Sequence, residues 1–163
     1  MTAIVIGPSD ALSRALTDAV VDVDVIDGNT AVDDMLWQTL VALQTAHASM
    51  ADGGRIVVIV PTIGMAGAAG LADYTTVIEG IRAMAKSAAR QWGSEGIRVN
   101  MIAAPLNMFA VDGDTSHLSV AAVQSDRTPL HSIVETAKFL LRSDLDHVTG
   151  ETIVVDGGSV MLP

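Results

Sequence analysis

Two spacings alternate along this chain. Short runs rich in valine and isoleucine give way to longer stretches in which apolar residues return every three or four positions. Residues 2–6 form the first strand-like run. Ser9 is placed to cap a helix over residues 10–20, with Leu12, Ala15, Leu16 and Ala19 on one face. Residues 21–26 alternate Val and Asp, the pattern of a strand with one wet face. Thr30, with Asp33 and Asp34 in the next turn, opens a helix that the pattern carries to residue 50. Residues 55–60 are dominated by Val and Ile, which predicts a strand covered on both sides.

After a glycine-rich loop, residues 72–92 read as a helix whose face is Tyr74, Val77, Ile78, Ile81, Ala85, Ala88 and Trp92. Residues 97–103 are strand-like. Residues 104–130 form a long connection with room for one short helix, of the length usual for functional lids. Ser132-Ile133-Val134-Glu135 has the spacing of a capping box and predicts a helix to residue 143. Residues 152–155 supply the last strand. The alternation predicts an α/β fold: a three-layer, Rossmann-like parallel sheet of about five strands with helices on both faces, in one domain over residues 1–163.

Composition narrows the chemistry. A net charge of −10 repels a phosphate backbone and argues against nucleic-acid partners. The absence of cysteine removes disulfides, thiolate metal sites and thiol catalysis. His47, His117, His131 and His147 lack ligand spacing, so no metal site is expected. Residues 56–72 are uncharged, but Pro61, Gly64, Gly67 and Gly70 interrupt them, so they predict a strand and loop and not a membrane span. The first residues have neither a basic region nor a long apolar run, and a cytoplasmic protein is expected. Mean hydropathy is +0.44, which fits either an Ala- and Val-rich core or apolar surface covered by a partner.

Three stretches resemble the short-chain dehydrogenase/reductase family. Gly54-Arg55-Ile56-Val57-Val58-Ile59 looks like the strand that leads to that family's catalytic serine. Trp92-Gly93-Ser94-Glu95-Gly96-Ile97-Arg98-Val99-Asn100-Met101-Ile102 is similar to its "G-I-R-V-N-x-I" strand. Thr149-Gly150 followed by Val155-Asp156-Gly157-Gly158 is similar to its C-terminal "T-G-x-x-x-x-V-D-G-G". The resemblance implies a Rossmann-type fold, an NAD(P) cofactor and a Tyr-x-x-x-Lys catalytic pair. Tyr74 occupies the tyrosine position.

The departures from the family pattern fall on the chemistry. Ile78 stands where the lysine belongs and Pro61 where the serine belongs. An unassisted tyrosine with pKa ~10 is a poor base at neutral pH. The family's Gly-x-x-x-Gly-x-Gly loop falls on Gly7, Ala11 and Ser13, and a Cβ at the middle position obstructs close approach of a pyrophosphate. The family's Pro-Gly after its Asn-x-Ile strand appears as Ala104-Pro105. Asp27 follows a strand end about twenty residues after Gly7, where an acid can hold a ribose, although an Asp there more often starts a turn. Gly7 and Asp27 are thus vestigial cofactor positions, and Tyr74 is a vestigial catalytic one.

The chain is shorter than family members usually are, with the loss falling between the first helix and the helix of residues 30–50. Strand 21–26 can therefore sit at the edge beside the first strand, giving the flavodoxin-like order second–first–third–fourth–fifth, or centrally. Parallel crossovers are right-handed, and the wet face suits an edge, so the edge order is preferred. The two long helices survive, and in the family their equivalents pair with a neighbouring subunit. The first has Val32, Leu36, Leu40 and Leu43 on one face and Trp37 and Val41 on another, so it needs two coverings. The second covering is a partner, or the chain's own lid or C-terminus. Trp37, Val41, Ile81, Met84 and Ala88 are the expected interface positions. The last strand and residues 157–163 resemble the family's other subunit contact.

The expectation is a non-catalytic subunit with no cofactor, forming a homo-oligomer or a hetero-oligomer with a full-length short-chain dehydrogenase. In that subunit the lid, with Met108, Phe109 and His117, can still touch a ligand. Two alternatives stand. One is an oxidoreductase of altered chemistry using NAD(P), Tyr74 and a residue from a partner or the lid, with His117 the nearest candidate in kind. The other is a small-ligand module using the crevice near Gly7.

Overall fold

The sheet grows outward from two strands that have no polar face. β3 (Gly54–Pro61) and β4 (Ile97–Ala104) are buried along nearly their whole length and pair in parallel from Gly54↔Ile97 to Pro61↔Ala104. β1 (Thr2–Ile6) joins β3 and is itself fully buried. β2 (Asp22–Ile26) closes one edge and the short β5 (Thr152–Val154) the other. A computed structural model describes all residues except 21, 29–30, 52, 111–122, 124–128 and 162–163. Among the described residues the order is β2-β1-β3-β4-β5, all parallel, which is the expected flavodoxin-like order. β2 lies on the edge because Asp22 and Asp24 can stay in water there.

Helices α1 (Asp10–Ala19), α2 (Val32–Ala48), α3 (Ile63–Ala66), α4 (Ala72–Trp92) and α5 (Pro129–Leu140) complete three layers. Alternation along each strand feeds two cores. Ile4, Ile6, Ile56, Val58 and Met101 face α2 and α4, whereas Ala3, Val5, Val57, Ile59 and Ile102 face α1 and α5. Ser9 caps α1 as expected, accepting from the Leu12 amide. The helix stops one residue short because Val20 is already extended.

Two helices depart from the pattern. α2 turns Met35, Thr39, Leu43 and Ala46 to the sheet, and Leu36 and Leu40, expected on that face, are only half-buried at its border. Apolar residues lie on several sides of α2, so spacing alone leaves its rotation open. Thr39 is tolerated inside because its hydroxyl donates to the Met35 carbonyl at 2.7 Å. The expected cap Thr30 lies outside the described residues, and Ala31 makes no side-chain cap. α5 begins at Pro129 and not at Ser132, since proline's fixed φ suits the first turn. Ser132 is then helical and accepts from the Thr136 hydroxyl, while Glu135 pairs with Lys138 instead of closing a capping box. Of the long connection, Leu106–Met108 forms a short 3-10 turn; His117 lies outside the described residues.

Arg55 heads a strand expected to be apolar, yet its side chain is buried. Its guanidinium donates to the carbonyls of Gly54, Arg142 and Ser143 and to the Asp146 carboxylate at 2.7–3.1 Å. It thereby ties the end of α5 to the start of the sheet, and the carbonyl end of a helix favours a cation. Replacing Arg55 with Met is expected to cost roughly 2 kcal/mol in urea unfolding, because several carbonyls lose a buried donor. Asp146→Asn is expected to cost under about 1 kcal/mol, since that carboxylate is mostly exposed.

Candidate functional site

In an open parallel sheet, ligands bind outside the carboxyl ends of the strands, where the strand order reverses. Here that point lies between β1 and β3, and Gly7 ends β1 beside it. Gly7 has φ +57°, which permits its amide to donate to the Ile26 carbonyl at 2.7 Å. Its carbonyl accepts from the Ala110 amide, also at 2.7 Å. The Ser9 amide donates to the Met108 carbonyl at 2.8 Å, and Pro8 and Phe109 form an antiparallel bridge between these bonds. The segment after β4 is thus zipped onto the turn between β1 and α1. Phe109 is buried in the core on the α1 and α5 side, and Met108 packs against it. Both were expected in a lid, and they instead pack against the turn between β1 and α1.

These bonds use the Gly7 and Ser9 amides at the start of the turn. The Ser9 hydroxyl accepts from Leu12, and Asp10 places a carboxylate in the first turn of α1, where an anion would otherwise be welcome. Gly28, just past β2, completes the packing. A Cβ there would meet the Gly7 Cα at 2.7 Å and the Ala110 carbonyl at 3.0 Å. Asp27, the expected ribose ligand, is exposed beside it.

The catalytic positions lie on β3 and α4. Pro61 ends β3, and the next residue, Thr62, donates its amide to the Ala104 carbonyl and is buried. Ile78 is fully buried, and Gly64 of α3 lies so close that a Cβ there would approach the Ile78 side chain to 2.5 Å. The lysine position is therefore sealed under α3. Tyr74 sits one turn earlier, half-buried against the core beneath α2 and α4. Burial pushes its phenol up from 10.0 to about 12. A proton-transferring tyrosine needs the opposite shift to act as a base near neutral pH.

The five expected interface residues divide. Ile81 and Ala88 pack into the chain's own core, since the face of α4 that carries them is the one resting on β4, so they offer a partner no surface. Met84 is half-buried at the border of that core. Trp37 is 65% exposed and Val41 42% exposed on the outer side of α2. The zipped crevice and the buried Arg55 were not foreseen; paired glycines at the ends of β1 and β2 were the available signal for the first. Among the described residues no group of acids and histidines could hold a metal, and no helix is long and apolar enough to cross a membrane.

Fold and site together define a Rossmann-like α/β domain. Comparison with known proteins gives the family. A family model described as "Enoyl-(Acyl carrier protein) reductase" matches residues 5–160. The chain is 32% identical over 114 residues to the 3-oxoacyl-(acyl-carrier-protein) reductase FabG of Salmonella typhimurium, covering 67% of this chain and 47% of that protein. It is 31% identical over 156 residues to the A-factor type gamma-butyrolactone 1'-reductase (1S-forming) of Streptomyces virginiae, covering 90% and 59%. The chain thus spans about half the length of these curated relatives. Its fold is similar to an enoyl-(acyl-carrier-protein) reductase from Anaplasma phagocytophilum solved with NAD, at TM-score 0.71 and 16% identity, covering 97% of this chain and 93% of that one. This chain belongs to the short-chain dehydrogenase/reductase family.

Two outcomes follow from this geometry. The chain has a single tyrosine, so its ultraviolet absorbance titration is expected to show one midpoint near pH 12. The neutral phenol is favoured in the fold, so its contribution to stability is whole below pH 10 and lost between pH 10 and 12. Gly28→Ala is expected to cost roughly 1–3 kcal/mol and to speed hydrogen exchange at the Ala110 amide, because the new methyl forces the zipped segment outward.

Proposed function

We propose that this chain is a non-catalytic short-chain dehydrogenase-like subunit, acting as a structural or regulatory partner within an oxidoreductase assembly. The closed switch point carries this reading: Gly7, Ser9, Met108 and Ala110 bond to each other or to Ile26 where a dinucleotide would need backbone groups. Pro61 offers no hydroxyl, Ile78 offers no charge, and the Tyr74 phenol is shifted away from use as a base. NAD(P) on this reading has no place in the crevice.

The outer layer supports assembly. α2 and α4 both cross over between parallel strands on one face of the sheet, so they run in the same direction. Asp33, Asp34 and Asp73 lie in their first turns, and His47, Lys86 and Arg90 lie toward their other ends. A second copy turned about a two-fold axis would set acids against bases, with Trp37 and Val41 near the middle of the contact. A full-length dehydrogenase offering the equivalent helices would fit the same surface.

A second reading, an oxidoreductase of altered chemistry, draws support from Thr62, a buried hydroxyl residue one position past the serine site. Unaltered turnover in Tyr74→Phe would exclude a role for the phenol in it.

The purified chain, or the chain co-expressed with a full-length dehydrogenase from its own genome, is expected to sediment as an oligomer. Trp37→Glu is expected to dissociate it without unfolding it, because Trp37 lies mostly outside the chain's own core. NADH and NADPH are expected to leave the melting temperature unchanged. A clear rise at sub-millimolar cofactor, or a monomer under both conditions, would overturn the proposal.

A further inference from the structure

β2 leaves one side of its backbone open. The Ile26 carbonyl accepts the Gly7 amide, so Asp22, Asp24 and Ile26 direct their backbone groups at β1. Peptide groups alternate along a strand, and Val23 and Val25 therefore direct theirs away from the sheet. Among the described residues no strand pairs with that side and no loop backbone bonds to it. Unpaired donors and acceptors on a strand edge are a template for an added strand.

The side chains sort by face. Asp22 and Asp24 stand in the same row as Ile26, on the α2 side; both are exposed, with no hydrogen bond or ion pair among the described residues. Val23 and Val25 stand on the other face, where Val23 packs against the core under α1 and Val25 is 52% exposed. Opposed side chains on one face are what stabilise a strand pair, so this division states what a neighbour must carry.

Charge selects the occupant. Residues 1–50 contain seven aspartates, against Arg14 as their only Lys or Arg. An incoming strand meets two carboxylates on one face and an exposed valine on the other, so it is complementary when basic and apolar residues alternate. A second copy does not fit. Antiparallel pairing of β2 with itself sets the aspartates of both copies on one face, and like charges there repel. No other segment of the chain supplies the pattern, because no two of its Lys and Arg stand two positions apart.

We propose that the open edge of β2 takes up an extended segment of another protein in which basic and apolar residues alternate. Its backbone bonds to Val23 and Val25, its basic side chains lie beside Asp22 and Asp24, and its apolar ones cover Val25. This goes beyond the proposed subunit role, since neither Trp37 nor α4 takes part in it.

The probe is a short capped peptide of alternating lysine and valine, titrated into the whole chain while heat of binding and amide hydrogen exchange are followed. It is expected to bind saturably with a Kd of about 1 mM or tighter, and to slow exchange at the Val23 and Val25 amides about tenfold. Three control peptides are each expected to bind about tenfold more weakly. One alternates glutamate and valine. One carries the same lysines and valines in two blocks. The third is the alternating lysine peptide N-methylated at every second residue, which keeps the charge and loses the donors. Asp22→Lys with Asp24→Lys, both at exposed positions, is expected to reverse the preference in favour of the glutamate peptide. Absence of saturable binding of the lysine peptide up to about 10 mM overturns the proposal. So does equal affinity for any control, an unreversed preference in the double variant, or binding that leaves exchange at Val23 and Val25 unchanged. Cofactor titration and oligomer size judge the subunit reading separately.

Discussion

The close approach of Gly7, Gly28 and Ala110 is the contact on which the arrangement at the end of β1 depends. Backbone amides at the end of a parallel strand must find acceptors, because an unpaired one in a buried position is expensive. A dinucleotide fold can leave such donors for phosphate oxygens. Here the Gly7 and Ser9 amides reach the Ile26 and Met108 carbonyls, and the Gly7 carbonyl takes the Ala110 amide. The approach is possible only because positions 7 and 28 have no Cβ. With those bonds made, the segment carrying the buried Phe109 lies against the turn between β1 and α1.

Packing accounts for the side chains at positions 61 and 78. A buried lysine at position 78 would need a cofactor hydroxyl or another polar partner, and isoleucine needs neither. Ile78 instead becomes part of the contact between α4, α3 and the sheet, with Gly64 pressed against it. Proline at 61 is likewise acceptable where it stands. It is the last residue of β3, and the peptide bonding that follows is supplied by Thr62 to Ala104.

Much of this was legible in the residues. The unbroken Val and Ile of β3 announced a central strand, and the Val/Asp alternation of β2 announced an edge, so strand order followed from the two together. α1 was readable from Ser9 and α4 from its long apolar stripe. The rotation of α2 was not readable, because apolar side chains surround it and only contact with the sheet selects Met35, Thr39 and Leu43. The start of α5 was misplaced because Pro129 and Ser132 are both good openers and the pattern does not rank them. At the site, Pro61, Ile78, Ala11 and Ser13 depart from the family pattern in the sequence itself. The closing segment was invisible, since backbone-to-backbone bonds leave almost no mark on side-chain identity beyond two glycines. Arg55 was hidden for a related reason: it is defined by carbonyls and a carboxylate that the fold gathers around it.

Tyr74 brings these strands of reasoning together. A tyrosine that follows a glycine-rich loop and opens a long helix looks catalytic, but position alone does not set its acidity. A cation nearby would lower its pKa, and burial without one raises it. Ile78 supplies no charge, and the surroundings of the phenol are the apolar residues under α2 and α4. The shift to about 12 therefore comes from burial, with no cation to oppose it at position 78. The ring that remains is a wedge between α4 and the core, and what it holds in position is the helix layer whose outer side carries Trp37.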